Sequence, residues 1–341
     1  MKPHPGTVHH VLAADRGQTL AAFLRGRIDA ASWSQVQKLI RGRRVLIHGN
    51  VCTDAGRRLQ AGEVVKVLED AAPRPPAADD VRIVHLDREV VVVDKPPGVT
   101  TTRHHEERGW PARRRQLQPT LEELVPEAIA RELAGRAGRG GRRGGGGRRR
   151  PQPVRAVHRI DRETSGLLVF ARTVPAGRIL AEQFRLHTTQ RRYLAVAVGR
   201  VAAGTIRTHL VRDRGDGRRG SSDDGSGKLA VTHVAPVEHF GDASTLVECR
   251  LETGRTHQIR IHLAELGHPI CGERVYAAAG RRTQRDESRA PRVMLHAAEL
   301  GFVHPESGDQ LVFESPLPAD MRRVIADLRK RFGSEQGAGR R

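Results

Sequence analysis

The stretch HRIDRETSGLLVFART, residues 158–173, joins a charged turn to an apolar run that is typical of a buried strand. Asp161 lies between Arg159 and Arg162, a few residues before the apolar segment LLVF. A nearby arginine favours the ionised form of an aspartate, and such a carboxylate can act as a nucleophile or stabilise positive charge on a sugar. The glycine of the TSG turn would let the backbone bend and expose these side chains. An ordinary surface loop has a similar composition, so this stretch alone does not distinguish a structural turn from a reaction centre.

Charge and composition limit the class of protein. The 341 residues carry a formal net charge of +20, which favours a polyanionic partner such as nucleic acid, with basic composition without a special partner as the alternative. Cys52, Cys249 and Cys271 form no CxxC, which favours a reducing compartment over a disulfide framework or a zinc finger. The sequence has no apolar run of about 20 residues and no apolar signal core. We therefore expect a cytoplasmic protein without a membrane partner.

The pattern of helices, strands and linkers predicts two domains with flexible ends. Residues 1–15 are expected to form a flexible tail, and residues 16–70 a small domain of two helices and a small sheet. The Pro-rich stretch 71–80 would be a linker, residues 81–335 a second domain, and residues 336–341 a short tail. Several strands with few helices in the second domain indicate an α+β fold on a largely antiparallel sheet with flanking helices.

An insertion at about 103–150 interrupts the second domain. Its segment GRAGRGGRRGGGGRRR is predicted to be disordered, and it either tracks RNA or is an unconstrained loop. Thr120 and Glu123 predict a capping box at the start of a short helix within the insertion. The run HHEE at 104–107 does not have the HExxH spacing and no partner cluster is evident, so we expect no metal site there.

The first domain resembles the small RNA-binding domain of the S-four type. The resemblance rests on the run SxxQVQKLIRxxRVLIHGNV and on the later AGEVVKV. In that family the second helix and the hairpin face present basic residues to RNA, and each would contact phosphate, which positions RNA without reading its sequence. A solvated basic helix face is the alternative for any single residue. The resemblance implies RNA contacts by Arg27, Lys38, Arg41, Arg43 and Arg44.

Two further segments of the second domain contain candidate site residues. In LETGRTHQIRIH, Arg255 lies near a predicted helix start, where an arginine opposes the helix dipole, so an anion across the site would explain it. His257, Arg260 and His262 could make further polar contacts that orient the site. Tyr193 begins the apolar strand of RRYLAV, where a buried ring with a solvated hydroxyl is the ordinary structural explanation.

Four motifs in order resemble the RluA-type family of RNA pseudouridine synthases. They are HRIDRETSGLLVFART, RRYLAVAVG, LETGRTHQIRIHLAELGHPICGERVY and LHAAELGFVHP, and the resemblance covers about residues 82–320 outside the insertion. It implies the pseudouridine synthase fold and the isomerisation of specific uridines in structured RNA, without a metal or an organic cofactor. Ribosomal RNA is the first expectation for the substrate, transfer RNA is the alternative, and the enzyme is expected to be a monomer.

The resemblance also implies a role for each candidate residue. Asp161 would start cleavage of the N-glycosidic bond, after which the base rotates and rejoins through carbon; attack on the sugar, attack on the base and proton abstraction all stay open. Arg159 would fill the space left by the flipped nucleotide, since the target carbon is unreachable inside a stack. Tyr193 would pack on the target base, with a part in proton transfer left open. Arg255 would pair with Asp161.

The sequence also departs from the family pattern at several positions, and two other classes of protein are alternatives. Ile160 replaces a leucine, Glu163 and Glu273 replace aspartates, and the segment after KPPGV lacks the usual histidine-proline continuation, which leaves the substrate open. A non-catalytic RNA-binding or ribosome-assembly factor would have no chemical need for all three residues assigned to catalysis. A glycoside hydrolase would ordinarily need two carboxylates flanking the bond, and no second acid is evident near the motifs.

Overall fold

The structure, a computed structural model, describes most of the chain as two compact units, Met1–Pro75 with Pro111–Gln118, and Pro76–Trp110 with Pro119–Arg341. The described residues are 7–28, 31–47, 50–72, 74, 76–103, 107, 109, 111, 118–138, 152–214, 219–222, 224–276 and 284–336. The predicted disorder of residues 135–150 is wrong for 135–138, which end the helix Leu121–Gly138, while residues 139–150 and most of the HHEE run lie outside the described residues. Across the described ranges, every helix is too short or too polar to cross a membrane.

The first unit contains a four-stranded antiparallel sheet and two α-helices among its described residues. These elements are β1 (Val8–His10), α1 (Leu20–Arg27), α2 (Trp33–Arg41), β2 (Val45–Ile47), β3 (Asn50–Val51) and β4 (Val64–Val67), with the strands in the order β1-β4-β2-β3. Ser32 and Gln35 form a reciprocal capping box at the start of α2, which satisfies backbone N–H groups that the first turn would otherwise leave free. Apolar side chains of both helices and the sheet form one core, which includes Leu24, Ile40 and Val65.

The predicted tail 1–15 is partly wrong. Val8–His10 forms β1, which pairs antiparallel with Val64–Val67 from the other end of the unit. The sequence VHH has no alternation of apolar and polar residues long enough to predict a strand. Its extended conformation is instead stabilised by hydrogen bonds to a strand more than fifty residues later. Residues 8–10 therefore form a strand only because the fold brings them beside β4.

The second unit is formed around one large sheet. Its described strands are β5 (Arg82–Leu86), β6 (Val90–Lys95), β7 (Arg155–Ala156), β8 (Ser165–Ala171), β9 (Gln190–Val198), β10 (Gly204–Val211), β11 (Gly220–Ser221), β12 (Lys228–Phe240), β13 (Ser244–Leu251), β14 (Leu295–Val303), β15 (Gln310–Glu314) and β16 (Glu335–Gln336). The main order is β11-β10-β12-β13-β9-β14-β8-β6-β5, with β15 beside β14, β16 beside β12 and β7 beside β8. Among the described strand pairs, only β14 and β8 run parallel, so the predicted largely antiparallel α+β fold is confirmed.

Four helices among the described residues flank this sheet. They are α3 (Leu121–Gly138), α4 (Val174–Arg185), α5 (Gln258–Glu265) and α6 (Ala319–Phe332). Helix α3 contacts β5, α4 contacts β8 and β14, and α5 and α6 both contact β12. Only half of the predicted capping box of α3 forms: the Thr120 amide donates to Glu123 Oε2 at 3.0 Å, while the buried Thr120 hydroxyl has no hydrogen-bond partner in the described chain.

The parallel pair β8–β14 brings two backbones unusually close at Gly166. Gly166 pairs with Ala297 and has a φ of +110°. A Cβ on residue 166 would lie 2.2 Å from the Ala297 carbonyl oxygen, so the crossing requires glycine for space as well as for conformation. This crossing directly follows the charged turn and fixes where that turn lies on the sheet.

Candidate active site

Asp161 lies in the loop between β7 and β8, and hydrogen bonds anchor the loop backbone on both sides of it. The Thr101 hydroxyl donates to the Ile160 carbonyl at 2.9 Å. On the other side, the Thr164 amide donates to the Asp161 carbonyl at 3.1 Å. The aspartate side chain therefore projects from a backbone whose position does not depend on the side chain itself.

A buried lysine holds the next carbonyl of the loop. Lys95, at the end of β6, is fully buried, and its Nζ donates to the carbonyls of Pro96, Val99 and Arg162 at 3.0, 2.8 and 2.9 Å. Three carbonyls match the three N–H donors of an ammonium group. Burial lowers the pKa of Lys95 to about 7. No sequence motif pointed to Lys95, although a lysine just after the apolar run VVVV at 90–93 is a visible signal.

His158, the first residue of the charged turn, has a structural role. Its Nε2 accepts a hydrogen bond from the Val169 amide at 3.1 Å, and its ring stacks on Phe184 with centroids 4.1 Å apart. Burial, with a further contribution from Arg191, lowers the pKa of His158 to about 3. The imidazole is therefore neutral at physiological pH and ties the turn to β8 as an acceptor.

The Asp161 carboxylate lies beside Arg260, which itself is held by a buried glutamate. Arg260 Nη1 is 3.4 Å from Asp161 Oδ2. The same guanidinium makes two shorter bonds to Glu273, at 2.7 and 2.9 Å, and the Glu273 side chain is 0% exposed. Burial alone would raise the pKa of Glu273, but the Arg260 guanidinium and backbone N–H groups hold it below its ordinary value. Glu273 thus fixes Arg260 from the side away from Asp161.

A histidine and a tyrosine complete the surroundings of the carboxylate. His257 Nε2 is 3.7 Å from Asp161 Oδ1, and His257 Nδ1 is 2.7 Å from the hydroxyl of the buried Tyr276. Burial lowers the pKa of His257; Asp161 acts in the opposite direction and Arg260 adds to the lowering. For the neutral imidazole, the carboxylate favours the tautomer with the proton on Nε2, so Tyr276 donates to Nδ1.

The expected pairing of Arg255 with Asp161 is wrong in this structure. Helix α5 begins at Gln258, with His257 as its left-handed N-cap, so Arg255 lies in the turn before the helix. Its Nε donates to the Leu229 carbonyl at 2.9 Å, whereas the ion pair to Asp161 comes from Arg260 inside the helix. Arg260 and His257, which the sequence assigns only orienting contacts, are therefore the neighbours of the carboxylate.

A small open cavity of about 60 Å³ gathers the other candidates around Asp161. It is lined by Arg159, Asp161, Tyr193, Arg255, His257 and Arg260, among others. Tyr193 is 9% exposed and lies on β9 between Cys249 of β13 and Ala297 of β14. Burial raises the pKa of its phenol above the ordinary value of 10.0, so the hydroxyl stays protonated at neutral pH. Arg159 is exposed at the rim.

The basic residues of the first unit fall into two groups. Lys38 and Arg41 lie exposed on α2. Arg27 forms an ion pair with Asp15 at 2.8 Å, and the Nε atoms of Arg43 and Arg44 donate to the carbonyls of Ala72 and Leu68 at 3.2 and 3.0 Å. The side chains of Arg27, Arg43 and Arg44 therefore also make contacts that stabilise the first unit. Elsewhere, no group of three or more His, Cys, Asp or Glu side chains in the described ranges could hold a metal ion.

Comparisons with known proteins identify the family. The sequence model described as RNA pseudouridylate synthase matches residues 89–265, and that of the S4 domain matches residues 30–65. An uncharacterized RNA pseudouridine synthase, YlyB, of Bacillus subtilis is 36% identical over 323 residues, which cover 92% of this chain and 95% of the relative. The chain belongs to the RNA pseudouridine synthase family, whose members are isomerases, and the predicted family and RNA-binding module are confirmed.

Two further relatives agree with this assignment, and two solved structures share the fold. Ribosomal large subunit pseudouridine synthase D of Zymomonas mobilis is 34% identical over 89% of this chain and 93% of the relative. The protein of the same name from Escherichia coli K12 is 33% identical over 93% and 92%. Human RNA pseudouridylate synthase domain containing 4 and 1 have TM-scores of 0.55 and 0.53, with 24% and 23% identity. They cover 73% and 75% of this chain and 93% and 98% of their own, and they show the fold.

Proposed function

We propose that the protein converts uridine to pseudouridine in large-subunit ribosomal RNA, with Asp161 as the residue that starts the reaction. Two relatives that span most of this chain are named as ribosomal large subunit pseudouridine synthases. The observation that carries the proposal for the site is the position of Asp161. Its carboxylate lines an open cavity, between the Arg260 guanidinium and the His257 imidazole, with Tyr193 in the same wall.

The reaction is an isomerisation, so no atom is gained or lost. The bond between C1′ of the ribose and N1 of the base breaks, the base rotates, and a bond forms between C1′ and C5. The proton on C5 leaves and N1 gains one. Asp161 would start the cleavage as a nucleophile on the sugar or base or as a base toward the sugar. Tyr193 would pack on the uracil ring, since its hydroxyl is neutral and its ring lines the cavity.

Access to the target base requires that the nucleotide leave the stack, because its reacting carbon cannot be reached inside a helix. Arg159 is exposed at the rim of the cavity and would occupy the space that the flipped nucleotide vacates. The exposed Lys38 and Arg41, with Arg27, Arg43 and Arg44, would add phosphate contacts from the first unit. In this assignment Arg255 contacts RNA at the cavity wall.

The test of this proposal is the variant Asp161→Asn, with Asp242→Asn in an exposed turn as the matched control. Pseudouridines are mapped in ribosomal and transfer RNA from a deletion strain complemented with each variant. We expect the deletion to remove one or more pseudouridines from large-subunit ribosomal RNA. Wild type and Asp242→Asn should restore them, whereas Asp161→Asn should not, although it should bind RNA within a few fold of wild type. Restoration by Asp161→Asn would overturn the role of Asp161, and losses confined to transfer RNA would overturn the ribosomal substrate.

We further propose that the enzyme acts as a monomer in the cytoplasm. All residues of the candidate site come from one chain, so no second copy is needed to complete it. Cys249 and Cys271 are buried free thiols, as expected in a reducing compartment. Light scattering on the purified protein should give the mass of one chain, 37.6 kDa, and a mass near twice that value would contradict the monomer.

A further inference from the structure

Two adjacent arginines on β9 have opposite surroundings. Successive strand residues point to opposite faces of a sheet. Arg192 faces three carboxylates, at 2.9 Å from Glu299, 3.1 Å from Glu314 and 3.7 Å from Glu248. Arg191, on the other face, has no carboxylate within ion-pair distance in the part of the chain that the structure describes.

Arg191 is nevertheless half-buried. Its Nη2 donates to the Glu252 carbonyl at 3.2 Å, while its Nε is buried without a hydrogen-bond partner among the described residues. Its Nη1 occupies the space beside Gly254, where a Cβ would lie only 2.7 Å away. Burial lowers the pKa of Arg191, but a guanidinium stays charged at physiological pH. The guanidinium also lies over the Phe184 ring, with Cζ 6.0 Å from the ring centroid, but a partly buried charge without an anionic partner still has a desolvation cost that an anion would offset.

The location of Arg191 connects it to the catalytic cavity. Arg191 and Tyr193 are two residues apart and therefore share a face of β9, and Tyr193 lines the cavity. Gly254, against which Nη1 lies, directly precedes Arg255 in the cavity wall. After burial, repulsion from Arg191 and Arg255 lowers the pKa of His187, which places both guanidinium groups in one region of positive potential.

We propose that Arg191 binds a phosphate of the RNA backbone beside the target uridine. A phosphodiester supplies the negative charge that the protein does not, and the planar guanidinium can donate two parallel hydrogen bonds to it. Arg191 acts as a substrate-positioning residue: the phosphate contact fixes the backbone on one side of the nucleotide while Asp161 reacts on the other. This inference rests on the proposed function in needing an RNA substrate, but it does not depend on which RNA that is.

The neighbouring arginine supplies the matched control for the experiment. Arg191→Gln and Arg192→Gln are compared with wild type in the full-length protein. Unmodified transcripts of bacterial large-subunit ribosomal RNA and of transfer RNA serve as probes. Affinity is measured over a series of salt concentrations, kcat and KM are measured on whichever transcript wild type modifies, and melting temperatures are recorded for all proteins.

For Arg191→Gln we expect affinity to fall about tenfold, as for the loss of one charge-assisted hydrogen bond. The slope of log affinity against log salt should decrease by about 0.7 to 0.9, the value of one phosphate contact. KM should rise more than kcat falls, and the melting temperature should fall less than in Arg192→Gln, because Arg191 loses one hydrogen bond to a neutral carbonyl whereas Arg192 loses three carboxylate contacts. Arg192→Gln should show the reverse pattern, with a lower melting temperature and an unchanged salt slope.

Arg191→Lys separates charge from geometry, since it keeps the charge but loses the planar fork. It should keep the salt slope of wild type and recover part of the affinity. An unchanged affinity and salt slope in Arg191→Gln would overturn the proposal, as would a large fall in its melting temperature, because the guanidinium would then be a structural group. If wild type modifies only transfer RNA, the proposal of a ribosomal substrate is wrong. The role of Arg191 is then still tested, by comparing its variants with wild type on the transfer RNA transcript.

Discussion

Asp161 is held at distances that leave its carboxylate available for substrate. Its two neighbours, Arg260 and His257, lie at 3.4 and 3.7 Å, which are long for strong hydrogen bonds. The short bonds of Arg260 are to Glu273, and the short bond of His257 is to Tyr276. Each neighbour is therefore positioned by a partner on its far side, and the carboxylate oxygens keep room to contact a sugar or a base.

The first prediction concerns the charge of Glu273. Glu273→Gln keeps the shape of the side chain but leaves the Arg260 guanidinium without its buried counter-charge. Breaking a buried ion pair from one side costs about 3–5 kcal/mol, so the free energy of unfolding should fall by an amount near the lower figure. Activity should fall as well, because Arg260 would then bind Asp161 more tightly. Urea denaturation and initial rates measure the two effects.

The control for Glu273→Gln is Glu182→Gln. Glu182 pairs with Arg185 at 2.7 Å on the surface of α4, where solvent screens the pair and its loss should change stability little. The pH dependence gives a second check. The pKa of Glu273 is lower in the folded protein than its ordinary 4.5, so the unfolded chain takes up the proton first as pH falls. The stability difference between wild type and Glu273→Gln should be full above pH 4.5 and shrink below it; a constant difference would contradict this linkage.

The second prediction concerns Tyr276→Phe. The Tyr276 hydroxyl donates to His257 Nδ1 and so favours the neutral imidazole, which burial also favours. Without the hydroxyl, His257 should protonate at a higher pH and pair with Asp161 as a cation. We expect the acidic limb of the pH–rate profile to move upward, with stability lowered by about 1 kcal/mol for the lost hydrogen bond. Rates measured from pH 5 to 8 test the shift.

Thr208→Val is the matched control for that profile. It removes a hydroxyl 3.0 Å from Nε2 of His262, a second histidine of α5 that does not contact Asp161 in the structure. Its pH–rate profile should coincide with that of wild type. If Tyr276→Phe and Thr208→Val both leave the profile unchanged, the tyrosine does not act on the catalytic carboxylate through His257.

At the scale of elements, the parallel contact between β8 and β14 determines where the reactive turn lies. The turn ends at β8, and the strand beyond it crosses β14 at Gly166 and Ala297. Arg292, buried near the start of β14, donates from Nη1 to the Glu163 carbonyl at 3.0 Å, so β14 also holds the end of the turn. An altered β8–β14 crossing would therefore move Asp161 even though no side chain of the site had changed.

The third prediction tests this crossing with Gly166→Ala. The added Cβ would lie 2.2 Å from a backbone oxygen, and a φ of +110° is unfavourable for alanine. Overpacking and backbone strain each cost about 1–3 kcal/mol, so the two strands should separate and the unit should lose several kcal/mol of stability. Gly204→Ala, at the start of β10 where a Cβ would meet nothing within 4 Å, should be close to neutral. A melting temperature for Gly166→Ala equal to that of Gly204→Ala would show that the crossing can relax.

The same elements show what the sequence could and could not predict. The apolar runs and the order of the motifs predict the fold, the family and the loop that carries Asp161, because these depend on local pattern. The partner of Asp161 depends on where α5 begins: a start at Gln258 puts Arg260 in the first turn and leaves Arg255 outside. That start follows from the left-handed His257, a conformation that is uncommon for any residue other than glycine and that the sequence pattern does not predict. Glu273, thirteen residues from Arg260, is buried through tertiary contact alone.

At the scale of the whole molecule, the described residues form separate hydrophobic cores. The core of the first unit draws only on residues between Val11 and Val67. The clusters of the second unit begin at Ala78 and extend to Leu328. The clusters of the second unit share the strands of one sheet, whereas the first unit has its own sheet and core, so we expect two cooperative units.

The last prediction follows from these separate cores. Differential scanning calorimetry of the full chain should show two transitions. Leu24→Ala, at a fully buried position of the first core, should cost about 2–5 kcal/mol and lower only one of them, and Leu168→Ala in the second core should lower only the other. Between the two melting temperatures of Leu24→Ala, kcat should persist while RNA affinity falls, because the exposed Lys38 and Arg41 belong to the unit that has unfolded. A single transition that either variant shifts would contradict the prediction. It would mean that the two cores unfold together, so that the first unit cannot unfold while the active site stays folded.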